Sequence, residues 1–127
     1  MTQLQYFIAV LNLNLKRNSF FFNFKKTKFI LRIVKLLIEN NYFIGYKFCT
    51  NDPKKIIIFF KLNFEKSRPF MLSCEQISSP SRPVYIKHNQ WSQSSSSLLI
   101  LSTSRGIITN KEAYAYHLGG TVLFKVT

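Results

Sequence analysis

Apolar residues in the first half of the chain recur in two rhythms. From Leu4 to Arg17 they stand at positions 4, 7, 8, 11 and 15, the spacing that keeps one face of an α-helix apolar. Lys16 and Arg17 close the segment, at the end where the helix dipole favours cations. Lys28 to Asn40 repeats the rhythm more clearly. Ile30, Leu31, Val34, Leu37 and Ile38 share one face, with Arg32, Lys35 and Glu39 towards the other. Asn40-Asn41 ends it, because asparagine tolerates the left-handed cap. The short aromatic run Phe20 to Phe24 predicts a strand between the helices. Tyr42 to Thr50 and Lys54 to Phe64 predict a hairpin around Asn51-Asp52-Pro53, where Asn and Asp bond their own backbone and Pro presets φ. Arg68 to Ile77 is a candidate third strand. The first half therefore reads helix, strand, helix, strand, strand.

The pattern changes at Ser78-Ser79-Pro80-Ser81-Arg82-Pro83, where two prolines and three serines favour an extended linker. Two modules are expected, residues 1–77 and 78–127. Val84 to Lys87 predicts a short strand, and His88 to Ser97 a polar loop anchored by Trp91. Leu98 to Leu101 has the composition of a buried strand, and Ser102 to Gly106 that of a turn. Thr109 followed by Glu112 fits a capping box that opens a short helix. That helix is expected to run to Gly119-Gly120, before a last strand from Thr121 to Val126. The fold class is α+β. The N-terminal module mixes helices and strands, and the C-terminal module is mostly β with one short helix. No internal repeat is present.

Charge narrows the functional classes. Lysine and arginine number 18 against 5 acidic residues among 127, a formal net charge of +13. Self-repulsion of that size is better tolerated when a polyanion is the partner, with nucleic acid first and an anionic membrane surface second. Hydrophobic residues make up 46%, enough for a packed core. Thirteen Phe and six Tyr stand beside many Ile, Asn, Lys and Ser. These amino acids have A/T-rich codons, which points first to an organelle genome and second to the nucleus or chromosome of a parasite or endosymbiont. Met1 to Leu15 carries neither the basic segment and cleavage site of a secretory signal nor an arginine-rich import sequence. A protein working in an organelle is therefore expected to be organelle-encoded. Lys and Arg interrupt every long apolar stretch of the first half, so no membrane span is expected.

Catalytic chemistry finds little support. Cys49 and Cys74 cannot frame a disulfide scaffold or complete a structural zinc site, and they read as buried or half-buried thiols. His88 and His117 have no Cys, Asp or Glu at ligand spacing. No acid pair, nucleophile elbow or phosphate-cradling glycine loop appears. Neither an enzymatic activity nor a cofactor, metal or small-molecule substrate is expected. Trp91 and Tyr116 read as packing anchors.

The turn Ser102-Thr103-Ser104-Arg105-Gly106 has more to offer a polyanion. Its hydroxyls both donate and accept hydrogen bonds, which suits base edges, 2′-hydroxyls and phosphates. Arg105 adds charge and a planar face, and Gly106 permits close approach or positive φ. Taken alone it is an ordinary polar turn. The longer string Leu101-Ser102-Thr103-Ser104-Arg105-Gly106-Ile107-Ile108-Thr109, followed by Leu118-Gly119-Gly120, resembles the C-terminal signature of the eighth protein of the bacterial-type small ribosomal subunit. Ser81-Arg82-Pro83 resembles that family's S-R-P element, and Tyr85 its following tyrosine. The basic helix followed by Tyr42-Phe43-Ile44 is similar to the family's helix ending in G-[FY]-I. Three departures stand out. Thr121 replaces the family's glutamate after Gly-Gly, Ser94 to Ser97 replaces a glycine-rich segment, and the spacing from S-R-P to tyrosine is shorter.

The resemblance implies a site on the central domain of small-subunit rRNA, gripped by the C-terminal module during assembly and afterwards, among neighbouring ribosomal proteins. Ser102, Thr103 and Ser104 are then expected to touch bases and backbone, Arg105 and Arg82 phosphates, and Tyr85 the sugar edge, with Gly106 and Thr121 within the same site. Lys25, Lys26 and Lys28 belong to the densest basic group, with Lys16, Arg17, Arg32 and Lys35. They read either as a solvated face or as a phosphate surface adding salt-dependent affinity. The expected setting is a mitochondrial small ribosomal subunit, with a plastid one as the alternative. A basic membrane-surface protein is the rival reading, because Lys28 to Asn40 sets a basic face against an apolar one.

Overall fold

In the computed structural model, which describes residues 3–78, 81–87 and 98–127, both amphipathic segments fold as helices. Helix α1 spans Gln3–Lys16 and buries Leu4, Phe7, Ile8, Leu11 and Leu15, the five positions of its apolar rhythm. Helix α2 spans Lys28–Glu39. The Thr27 hydroxyl caps it by accepting the Ile30 N–H at 3.2 Å. Its C-terminus closes on a Schellman pair: the Asn41 N–H donates to the Ile38 carbonyl and the Tyr42 N–H to the Leu37 carbonyl, with Asn41 left-handed at φ 66°. Asn18 ends α1 in the same way, at φ 53°.

Strands β1 (Phe21–Lys25), β2 (Phe43–Phe48) and β3 (Lys55–Phe60) form an antiparallel sheet in the order β1-β3-β2. Period-two alternation sends Phe22, Phe24, Ile56, Ile58 and Phe60 to the buried face. The Phe7 ring of α1 meets Phe24 edge-on at 5.1 Å, and Phe43 and Phe60 pack at 5.6 Å. The apolar side chains of Ile30, Ile33, Val34 and Leu37 on α2 are fully buried. The face that a membrane-surface reading requires is therefore inside the protein. Among the described residues no helix is long and apolar enough to cross a membrane. A small ladder, β4 (Leu62–Asn63) with β5 (Arg68–Pro69), follows.

The candidate strand from Arg68 to Ile77 is split. Its start forms β5, and its end, β6 (Cys74–Gln76), joins a different sheet by pairing with β10 (Gly120–Val126). The chain accordingly divides into Met1–Leu72 and Ser73–Thr127, not after Ile77 as the composition suggested. The pairing supplies the reason. β7 (Val84–Ile86) lies on the same edge of β10 and runs in the same direction as β6. β6 and β7 are thus two halves of one edge strand, and the serine-proline segment is an excursion in its middle. The excursion leaves at an irregularity in β10, where the Leu123 carbonyl accepts the N–H groups of both Ile77 and Ser78. Buried Ser78 ties it, since its hydroxyl accepts the Val84 N–H at 2.8 Å.

The second sheet continues through β8 (Leu98–Thr103) and β9 (Gly106–Thr109), in the order β6-β10-β8-β9. Leu101, Ile108, Val122 and Ala113 form a buried cluster, with Ile77, Ile86, Leu99 and Leu118 packed around it. The turn thus proves to be the tip of a hairpin with a returning strand, β9, before the helix. Helix α3 (Asn110–Ala115) begins on Thr109, whose hydroxyl accepts the Glu112 N–H at 3.3 Å. It stops at Ala115 rather than at Gly119-Gly120. His117 turns left-handed at φ 56°, and the Leu118 N–H reaches back to the Ala113 carbonyl. The expected loop His88 to Ser97, with Trp91, lies outside the described residues.

Candidate nucleic-acid interface

The hairpin tip is built by its own hydroxyls. Thr103 and Gly106 are the last cross-strand partners of β8 and β9, leaving Ser104 and Arg105 as the two-residue loop. Gly106 has φ 99°, a conformation that only glycine adopts without strain. The Thr103 hydroxyl accepts the Arg105 N–H at 3.2 Å and donates to the Gly106 carbonyl at 3.0 Å. It is therefore a brace of the turn. Ser102 and Ser104 are exposed, so they are the hydroxyls presented outward.

Arg105 does not wave in solvent. Its guanidinium lies 4.4 Å from the centroid of the Tyr116 ring at the end of α3. Stacking of this kind holds the plane of the fork while its donors remain available. Tyr116 is itself half exposed, so the pair presents a flat, cationic surface beside Ser104. No periodicity announces this contact, which arises because the capped helix returns its last turn to the hairpin.

Register sets the rest of the face. Tyr85 of β7 pairs with Thr121 of β10, Thr121 with Ser102 of β8, and Ser102 with Ile107 of β9. Cross-strand partners share a face, so these side chains form one row across four strands. Tyr85 and Ser102 are exposed, and Thr121 and Ile107 are half-buried. The opposite face of the same strands carries Leu101, Val122 and Ile108. Thr121 thus places a third hydroxyl-bearing side chain between Tyr85 and Ser102. Ile107 is a member of the row that composition alone did not single out.

Gly119 and Gly120 make the row possible. An added Cβ at Gly120 would stand 2.6 Å from the Thr103 methyl and 2.7 Å from the Ser102 carbonyl oxygen. At Gly119 it would stand 2.8 Å from the Ile86 carbonyl oxygen and 2.9 Å from the Tyr85 hydroxyl. The two glycines let β10 pass between β7 and the hairpin at contact distance. Arg82, two residues before β7, is exposed.

Lys25, Lys26 and Lys28 belong to the first unit, apart from this row. Lys25 lies opposite Lys55 in the β1–β3 register. The Lys26 ammonium sits 4.9 Å from the centroid of the Phe48 ring. Lys28 occupies the first position of α2, whose first turn has no acid. All three are exposed. Among the described residues no group of three or more His, Cys, Asp or Glu is placed to hold a metal ion.

The chain is similar to known proteins over most of its length. A family model described as Ribosomal protein S8 matches residues 5–127. The chain is similar to the small ribosomal subunit protein uS8m of Acanthamoeba castellanii, 31% identical over 106 residues that cover 80% of each chain. It is also similar to the uS8 proteins of Nitratiruptor sp., 31% identical over 79% of this chain and 78% of that one, and of Wigglesworthia glossinidia brevipalpis, 36% identical over 72% and 70%. The family so matched is one of structural, non-enzymatic components of the small ribosomal subunit. The chain belongs to the ribosomal protein S8 family.

Proposed function

We propose that this protein is a structural constituent of a mitochondrial small ribosomal subunit that binds the central domain of the small-subunit rRNA and supports its assembly. The observation that carries the reading is the row Tyr85–Thr121–Ser102 ending at the braced tip Ser104-Arg105. It offers hydroxyls along one exposed face and a stacked guanidinium at the adjoining hairpin tip, the mixture that suits an irregular RNA helix with unpaired bases. Ser102 and Ser104 act as readers, Thr103 and Gly106 as the frame, and Arg105 and Arg82 as phosphate contacts. Tyr85 and Thr121 complete the row towards the sugar edge. Lys25, Lys26 and Lys28 add affinity that does not depend on sequence.

The A/T-biased residue usage supports an organellar setting, and the mitochondrial relative at 31% identity favours a mitochondrial setting over a plastid one. Co-sedimentation of the tagged protein with mitochondrial small subunits is the expected result, and co-sedimentation with plastid subunits instead would reject it. The RNA reading is tested with Ser104→Ala on the isolated central-domain hairpin. Loss of about 1–3 kcal/mol of binding is expected if the hydroxyl meets a buried partner. Unchanged affinity would remove Ser104 from the site.

A further inference from the structure

The buried side of the first sheet is filled by α1, α2 and the Phe cluster, but its outer side is built unlike an ordinary solvated face. The outward positions of β1 are Phe21, Asn23 and Lys25, and those of β3 are their direct partners Phe59, Ile57 and Lys55. On β2, Gly45 lies opposite Phe59 and Lys47 opposite Ile57. One end of this face therefore carries two aromatic rings and the other end Lys25 and Lys55, with Lys47 in the row between beside Ile57 and Asn23, and no acid in any of the eight positions. Phe21 is 53% exposed, and its ring centroid is 6.0 Å from that of Phe59. A Cβ added at Gly45 would meet nothing within 4 Å, so the space beside Phe59 is open. Lys25 and Lys55 face each other directly, an arrangement that costs stability unless an anion lies between or above them.

We propose that this outer face is a second RNA-binding surface that takes unpaired nucleotides. Bases stack on Phe21 and Phe59, and Lys25, Lys55 and Lys47 hold the phosphates. The aromatic and lysine rows are four residues apart, about 13 Å along the strands, which a short run of nucleotides spans. Aromatic rings interleaved with lysines on an exposed sheet are the combination that binds single strands with little sequence preference. Asn23, between the two rows, adds an amide that both donates and accepts. An acidic peptide would satisfy the lysines but would have no need of exposed, planar rings. The inference rests on the chain's being a ribosomal protein and is independent of the hairpin reading.

Fluorescence anisotropy of the full-length protein with labelled oligo(A) of about ten nucleotides, at fixed ionic strength, tests it. Phe21→Leu and Phe59→Leu keep apolar bulk but remove the ring. Each is expected to weaken oligo(A) binding by about fivefold or more, while binding of the central-domain hairpin is unchanged. Phe21→Trp is expected to retain oligo(A) binding, which separates a lost ring from a disturbed strand. The double variant Lys25→Gln/Lys55→Gln is expected to reduce the salt slope of oligo(A) binding by about two. Oligo(A) affinity unchanged in both leucine variants would overturn the proposal. So would displacement of oligo(A) by polyglutamate as readily as by unlabelled oligo(A), which would point to an acidic protein partner. Failure of Ser104→Ala to affect the hairpin, by contrast, would leave this surface intact and remove only the hairpin reading.

Discussion

Gly120 and Gly45 are both glycines in strands, yet they have opposite surroundings. A methyl group at Gly120 would press on the Ser102 carbonyl and the Thr103 methyl, at 2.7 and 2.6 Å. Backbone cannot move aside as a flexible side chain does, so Gly120→Ala is expected to destabilise the second unit by about 1–3 kcal/mol. At Gly45 the same methyl meets nothing, and Gly45→Ala is expected to change stability by less than about 0.5 kcal/mol. Urea unfolding of the two variants measures both; equal midpoints would mean that β10 can shift away from the hairpin. Cys74 gives the pH counterpart. Burial pushes its thiol up from 9.0 to about 12, because the thiolate loses its hydration. The folded pKa lies above the unfolded one, so the stability contributed by the neutral thiol is complete below about pH 9 and declines as pH rises towards 12. Denaturation midpoints that fall less steeply above pH 9 in Cys74→Ala than in the native protein are the expected result. Local chemistry of this scale is partly legible in sequence. The left-handed Asn41 and the Thr109 cap follow from short-range rules. The Arg105–Tyr116 stack does not, since eleven positions of chain and a tertiary return separate its members.

Among the elements, β10 organises the second unit. One edge pairs with β8 from Thr121 to Val126 with one irregularity at Leu123, and the other is shared by β6 and β7. Removing β6 would leave the N–H and C=O groups of residues 124–126 unpaired on that edge, and buried backbone groups tolerate that poorly. A fragment of residues 73–127 keeps β6 together with the reciprocal Ser73–Thr127 backbone bonds. It is expected to fold alone, with dispersed amide signals and a cooperative melt. A fragment of residues 78–127 is expected to lack both. Indistinguishable melts for the two fragments would show that β6 is dispensable and restore the boundary suggested by composition. The contact division falls five residues before the compositional one for a physical reason. Proline and serine mark where a chain leaves regular structure, but they do not say whether it returns to the same edge. Strand β9 escaped for a related reason. Gly106-Ile107-Ile108-Thr109 is too short to show alternation, and its apolar character is shared between the row and the buried cluster. The helices and the first sheet were legible because each carries a full period of apolar positions.

For the molecule as a whole, charge and motif are unevenly placed. Thirteen of the 18 lysine and arginine residues, but three of the five acids, fall in Met1–Leu72. The string that resembles the family's signature falls in Ser73–Thr127. A phosphate contact releases counterions and makes affinity depend on salt, whereas a hydroxyl meeting a base edge adds affinity at every salt concentration. The two units should therefore be separable on one plot of log affinity against log salt. Lys25→Ala, Lys26→Ala and Lys28→Ala are each expected to flatten the slope by about 1, and to do so alike for the central-domain hairpin and an unrelated RNA. Ser104→Ala is expected to displace the line for the central-domain hairpin without changing its slope, and to leave the unrelated RNA where it was. Parallel displacement by the lysine variants would mean that their ammonium groups do not reach phosphate. A slope change from Ser104→Ala would mean that the hydroxyl acts by positioning Arg105 rather than by meeting a base. Either result would redraw the division of labour between the units. The expected result would make the first unit a general attraction to RNA and the second the choice of where on the RNA the protein settles.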